Sequence, residues 1–123
     1  MVARLSLRLV AVLLVVCAVA AAQPAHAATL TVNSVTCWQT GTYPADPANY
    51  GTYACTANVS GGTGSYSYTW TVSTGWSPGG TFSGGQTITG NCKYNTVRIN
   101  SVTVTDSSGA TASGTGSIVC TRP

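Results

Sequence analysis

Apolar and polar residues alternate one by one in short segments along most of the chain after residue 29. The clearest such segment is Ser65–Val72. Four large apolar residues make one of its faces: Tyr66, Tyr68, Trp70 and Val72. Strict alternation is typical of a β-strand with one buried face. Gly and β-branched residues are too frequent after residue 29 for helices, so the pattern predicts an all-β domain.

Turn-forming residues divide the alternating segments into six candidate strands. They are Leu30–Cys37, Tyr53–Val59, Ser65–Val72, Gln86–Cys92, Thr96–Thr105 and Ala110–Cys120. Within Thr96–Thr105 the apolar residues change phase between Ile99 and Val102. We expect a β-bulge near Asn100 and Ser101 to restore a single buried face. The residues expected in the core are Tyr66, Tyr68, Trp70, Val72, Val102 and Val104.

Two segments resemble parts of the Ig-like and PKD-like domains of bacterial surface proteins. Ser60–Trp70 (SGGTGSYSYTW) resembles their turn between strands B and C together with strand C. Val102–Thr111 (VTVTDSSGAT) resembles their F–G hairpin, with its turn at Asp106–Gly109. The chain also resembles small exported actinobacterial proteins with cysteines in similar places. The resemblance implies an Ig-like antiparallel β-sandwich of six to seven strands and transfers no particular activity.

Four cysteines lie in or beside the candidate strands: Cys37, Cys55, Cys92 and Cys120. Cys37 ends one strand and Cys55 lies early in the next, so antiparallel pairing brings the two together. The same reasoning joins Cys92 to Cys120. We therefore predict disulfides Cys37–Cys55 and Cys92–Cys120, with Cys37–Cys120 and Cys55–Cys92 as the alternative. The C-x₂₋₄-C spacing of zinc sites is absent, so we expect no metal.

Residues 1–27 have the features of a secretory signal peptide. These are a basic start at Arg4 and Arg8, the apolar run Leu9–Ala22 and the small-x-small sequence Ala25–Ala27. As a helix the apolar run would span about 21 Å, less than the ~30 Å hydrocarbon core, so we expect no membrane insertion after cleavage. The alternative is a lipid anchor at Cys17, because LVVC resembles a lipobox. We expect a single secreted, extracellular domain at residues 28–123.

Removal of residues 1–27 would take away His26, the only histidine of the chain. The charged side chains that remain are Lys93, Arg98, Arg122, Asp46 and Asp106. Three cations spread along the sequence do not make the basic stripe that nucleic acid requires. A Ser-His-Asp arrangement needs a histidine, and both aspartates lie in turn sequences. We therefore expect no enzyme, no cofactor and no nucleic-acid partner.

Aromatic residues outside the candidate strands are the predicted recognition groups. They are Trp38, Tyr43, Tyr50 and Trp76. The first three belong to a predicted loop at 38–52, which is long for so small a domain, and Trp76 lies in a Gly/Pro-rich turn. Exposed Trp and Tyr stack on sugar rings or anchor protein partners. We expect a non-catalytic secreted module that binds an extracellular protein or polysaccharide. The alternatives are a self-associating structural surface protein, and a secreted inhibitor or small-molecule carrier.

Overall fold

The structure, a computed structural model, describes residues 26–73 and 80–123. Residues 1–25, with Cys17 and most of the predicted signal peptide, lie outside these ranges, as does Trp76. The described residues form seven strands and no helix. The strands are β1 (Thr31–Thr42), β2 (Tyr50–Ser60), β3 (Tyr66–Val72), β4 (Gly80–Gly84), β5 (Thr87–Lys93), β6 (Val97–Asp106) and β7 (Thr111–Val119).

The strands make two antiparallel sheets with a common core between them. One sheet has three strands in the order β1-β2-β5, and the other has four in the order β4-β3-β6-β7. The chain crosses between the sheets after β2, after β4 and after β5. In β3 and β6, residues that face the opposite sheet alternate with residues that face solvent, as the alternation along the sequence predicted. The all-β antiparallel sandwich is therefore confirmed.

Trp70 lies at the centre of the core. Its side chain is fully buried, and the indole N–H donates a hydrogen bond to the Gly85 carbonyl at 2.9 Å. This bond satisfies the polar edge of the ring, as burial of a Trp requires. Val72, Val102 and Val104 are buried with it. Tyr66 and Tyr68 are only partly buried, because they lie nearer the end of β3.

The prediction of a β-bulge in β6 is wrong. The pairing of β6 with β3 and with β7 is continuous through Asn100 and Ser101. With no bulge, the inward phase set by Val102 continues back to Asn100 and Arg98, which are 0% and 3% exposed. The apolar residues of the other phase, Val97 and Ile99, therefore face outward.

Hydrogen bonds explain why polar residues occupy these inward positions. The Tyr53 hydroxyl donates to Asn100 Oδ1 at 2.8 Å across the sandwich, and Asn100 Nδ2 lies 3.9 Å from Cys37 Sγ. Arg98 Nη1 donates to the Ser73 carbonyl at 3.1 Å. Such bonds offset part of the desolvation penalty that otherwise keeps a polar group at the surface.

The two disulfides join Cys37 to Cys55 and Cys92 to Cys120, as predicted. Cys37 and Cys55 lie directly opposite each other in β1 and β2, so their bond lies within one sheet. Cys92 belongs to β5 and Cys120 follows β7, so their bond joins the two sheets. Sequence separations of 18 and 28 correspond to about 3–3.5 kcal/mol of stabilisation each in the chain-entropy model. Such bonds persist in an oxidising, extracellular-type environment.

The sandwich is closed along one side, where β1 packs against β7. A Cβ added at Gly116 would lie 2.6 Å from the Val35 carbonyl oxygen, so only glycine permits this close approach. Next to it, the Gln39 side-chain amide pairs with the backbone of Thr121. Its Nε2 donates to the Thr121 carbonyl and its Oε1 accepts from the Thr121 N–H, both at 2.9 Å.

We predict that Tyr53→Phe destabilises the protein by about 1–3 kcal/mol, because it leaves the buried Asn100 carbonyl without its donor. The double variant Tyr53→Phe/Asn100→Val removes both polar partners and should be less destabilised than the sum of the two single variants. Chemical denaturation of the four proteins measures this coupling. Strictly additive effects would show that the hydrogen bond does not hold the two strands together.

Candidate functional site

The prediction of a long loop at 38–52 is wrong. β1 continues to Thr42 and β2 begins at Tyr50, which leaves only residues 43–49 between the strands. A bulge between Gln39 and Gly41 lets β1 keep its pairing beyond Cys37. The remaining turn is tight, with the Tyr43 N–H bonded to the Tyr50 carbonyl at 2.9 Å.

The structure describes three of the four predicted recognition residues, and two of them, Trp38 and Tyr50, lie on the same face of the three-stranded sheet. Trp38 lies within β1, and Tyr43 and Tyr50 lie at the two ends of the short turn, both only partly exposed. Trp76 lies outside the described residues. Among the three that the structure describes, Trp38 is the most exposed, at 45%.

The position of Trp38 in β1 explains its exposure. Its neighbour Cys37 points inward to bond Cys55, and side chains alternate along a strand, so Trp38 points outward. In the three-stranded sheet Trp38 pairs with Ala54, which pairs in turn with Thr89. Ala54 also points outward but is only 4% exposed. The outward side chains around it, of which Trp38 is the largest, therefore cover it.

Trp38 is surrounded by hydroxyl groups. We call this surface the Trp38 face; it consists of Trp38 and the outward threonines of β1, β2 and β5 around it: Thr36, Thr40, Thr52, Thr56, Thr87 and Thr89. Pairs of these hydroxyls bond each other, Thr40 to Thr52 at 2.8 Å and Thr56 to Thr87 at 2.7 Å. The one charged residue in β1, β2 and β5 is Lys93, at the end of β5.

A polar cavity of about 200 Å³ opens where β5 ends. The described residues that line it are Ala48, Asn49, Lys93, Tyr94, Asn95 and Arg122. Arg122 Nη2 donates to the Ala48 carbonyl at 2.6 Å, and the Asn95 N–H donates to the Cys120 carbonyl at 2.8 Å. Sequence reasoning treated the cations as scattered, but Lys93 and Arg122 meet here. The predicted Cys92–Cys120 disulfide could have shown that Lys93 and Arg122 lie close together, because each cation lies within two residues of one of these cysteines.

The outer face of the four-stranded sheet also carries hydroxyls. Three pairs of them bond across neighbouring strands at 3.0–3.1 Å: Thr71 with Thr81, Ser101 with Thr115, and Thr103 with Ser113. At one end of this face, Val97, Ile99 and Val119 are 60%, 46% and 51% exposed. Both charged residues of β6, Arg98 and Asp106, are buried.

Both aspartates of the domain have structural partners. Asp106 accepts hydrogen bonds from the Ser108 hydroxyl at 2.6 Å and from the N–H groups of Thr63, Ser108 and Ala110 at 2.8–3.0 Å. The Ser108 hydroxyl above all, and then these amides, lower the pKa of Asp106, although burial opposes them. Asp46 accepts from Asn49 Nδ2 at 3.1 and 3.2 Å.

The Asp106 bonds also hold two turns together. Thr63 belongs to the turn between β2 and β3, whereas Ser108 and Ala110 belong to the hairpin between β6 and β7. The sequence predicted the hairpin turn at Asp106 but not the bond to the other turn.

Among the tyrosines, burial raises the pKa of Tyr68, and the neighbouring Tyr66 raises it further. Within the described part of the chain, no three His, Cys, Asp or Glu side chains cluster as metal ligands would.

Comparison with known proteins finds no match: no family model, no curated protein and no solved structure resembles this chain significantly. Residues 26–73 and 80–123 contain no helix of the length and hydropathy needed to cross a membrane. The case for a function therefore depends on the geometry of the Trp38 face and of the cavity beside it.

We predict that the protein loses stability in acid through Asp106. Its folded pKa lies below the unfolded value of about 3.9, so its contribution is full above that pH and is lost as pH falls through the folded pKa. Asp106→Asn should lower the melting temperature at neutral pH and flatten the decline below about pH 4. Thermal unfolding followed by circular dichroism between about pH 7 and pH 2 measures both effects.

Asp46→Asn is the matched control, since Asp46 accepts hydrogen bonds from the single side chain Asn49. It should keep the decline of the parent protein in acid. An Asp106→Asn variant that still shows the full decline would contradict the assignment.

Proposed function

We propose that residues 28–123 form a non-catalytic secreted module that binds an extracellular polysaccharide through the Trp38 face. The observation that carries the proposal is a tryptophan that is 45% exposed among outward threonine hydroxyls. An indole ring stacks on the apolar face of a sugar, and hydroxyls both donate to and accept from sugar hydroxyls. The surface thus offers both kinds of contact that a polyhydroxylated ligand needs.

The surroundings of Trp38 favour a polysaccharide over a protein. The centre of a stable protein interface is apolar and rich in aromatic residues, with about 800 Å² buried on each partner. Around Trp38 the outward residues are threonines, and Ala54 is already covered. A flat polar surface with an exposed indole among hydroxyl groups suits a polymer that repeats the same sugar along its length.

The disulfides and the topology support the wider assignment. Disulfides favour an oxidising compartment, which agrees with a signal peptide at residues 1–27. The sheet orders β1-β2-β5 and β4-β3-β6-β7, with crossovers after β2, β4 and β5, are of the kind that Ig-like sandwiches use. Together they support a secreted Ig-like module.

The alternative functions have weaker support. The outward Val97, Ile99 and Val119 favour self-association, but three half-exposed aliphatic side chains fall well short of the ~800 Å² that each partner buries in a stable interface. An inhibitor would use a long presented loop, and the loop here is a tight turn at 43–49. The cavity of about 200 Å³ is smaller than the ~300–1,000 Å³ of typical small-molecule sites.

We predict that the oxidised protein, expressed from the full-length chain, is retained on an insoluble polysaccharide such as cellulose, chitin or purified cell wall. Trp38→Ala should weaken retention at least tenfold, equivalent to about 1.4 kcal/mol, because it removes the stacking platform. Depletion isotherms on each polymer measure the change.

Ile99→Ala is the matched control, because Ile99 is 46% exposed on the opposite sheet. It should leave retention unchanged. If the parent protein is retained on none of these polymers, or if Trp38→Ala binds as well as the parent, the proposed function fails. Sedimentation at increasing concentration would then test self-association.

A further inference from the structure

We infer that the polysaccharide is acidic, and that Lys93 and Arg122 bind one of its carboxylates at the cavity where β5 ends. This inference rests on the proposed function, since it assigns a charge to the polymer that crosses the Trp38 face. The contact between this carboxylate and the two cations is separate from the stacking of a sugar on Trp38.

The distribution of charge is the first argument. Residues 28–123 contain three cations, Lys93, Arg98 and Arg122. Arg98 is 3% exposed, so the two cations that reach the surface both line one cavity. None of the described residues that line the cavity is a carboxylate. Two like charges raise the local positive potential, which attracts anions to the cavity.

The aspartate nearest in sequence to a lining residue is Asp46, two residues before Ala48 in the turn between β1 and β2. Asp46 bonds the side chain of Asn49, a lining residue, at 3.1 and 3.2 Å, and does not line the cavity itself. The turn therefore orients the Asn49 amide and leaves the lining cationic.

The position of the cavity relative to Trp38 is the second argument. Trp38 is in register with Thr89 of β5, through Ala54. Lys93 is four residues further along β5 and has the same outward phase as Thr89. At about 3.3 Å per residue, Lys93 lies roughly 13 Å from Thr89, a distance that a few sugar units span. Trp38 lies two strands away from β5, roughly 10 Å across the sheet, so Lys93 lies roughly 16 Å from it along a diagonal. One polymer chain that crosses the sheet along this diagonal can thus stack on Trp38 and reach the cavity.

The chemistry of the lining is the third argument. A guanidinium has five N–H donors, and the bond from Arg122 to the Ala48 carbonyl uses one and holds the side chain in place. Its planar donor array matches a carboxylate better than a single hydroxyl. Lys93 adds a second positive charge. The volume of about 200 Å³ admits the carboxylate end of one sugar rather than a complete small-molecule ligand.

The experiment compares binding of the oxidised full-length chain to polygalacturonate gel and to cellulose, at NaCl concentrations from about 0.05 to 0.5 M. The parent protein should bind the acidic polymer at least tenfold more tightly at low salt. Lys93→Gln/Arg122→Gln should lower that binding to the level seen on cellulose. Trp38→Ala should weaken binding to both polymers.

Ser83→Asp/Ser117→Asp is the charge-matched control. It lowers the net charge by two, as Lys93→Gln/Arg122→Gln does, but at exposed positions of the opposite sheet. It should keep the preference for the acidic polymer. Equal losses in the two double variants would overturn the inference, because net charge alone would then explain the binding.

Equal binding of the parent to both polymers, with Trp38→Ala reducing both, would overturn the inference and leave the proposed function intact. Retention on neither polymer would overturn both. As a readout that requires no variant, soluble oligogalacturonate should shift the NMR signals of the Asn49 and Asn95 amides and of the Trp38 indole in one titration. A shift confined to Trp38 would also overturn the carboxylate assignment.

Discussion

The bond between Cys92 and Cys120 is the constraint on which the arrangement of this molecule depends. It joins the end of β5, in the three-stranded sheet, to the segment that follows β7, a strand of the four-stranded sheet. The same segment carries Thr121, which pairs with Gln39, and Arg122, which bonds the Ala48 carbonyl. One covalent link thus gathers the last residues of the chain against β1, β5 and the turn between β1 and β2. The cationic cavity exists because of this convergence.

Alternation of residues was enough to predict six of the seven strands and the sandwich, because one face of each strand must leave water. It missed β4, which has a glycine at each end and only one partly buried residue, Phe82. It failed in β6, where either Val97 and Ile99 or Arg98 and Asn100 could face the core. A distant hydrogen-bond partner decides which pair does. The hydroxyl of Tyr53 reaches Asn100 from the other sheet. A hydrophobic pattern read along one strand contains no information about a hydrogen bond to another, so the polar alternative was missed.

The candidate site was predicted in part and for similar reasons. Trp38 was recognised as an exposed aromatic residue, but it was placed in a loop because Gly41 and the prolines beyond it read as turn signals. The bulge between Gln39 and Gly41 accommodates the glycine within the strand. The meeting of Lys93 and Arg122 is a property of tertiary structure. It was present in the sequence only through the positions of two cysteines.

The Cys37–Cys55 bond has a consequence for β1 that reaches beyond stability. A strand that slips by one residue turns each of its side chains to the opposite face. Because Cys37 is bonded to the residue directly opposite in β2, β1 cannot slip without breaking a covalent bond. The neighbouring indole is therefore locked on the solvent side. The Cys37–Cys55 bond thus fixes the side of the sheet from which a ligand could reach Trp38.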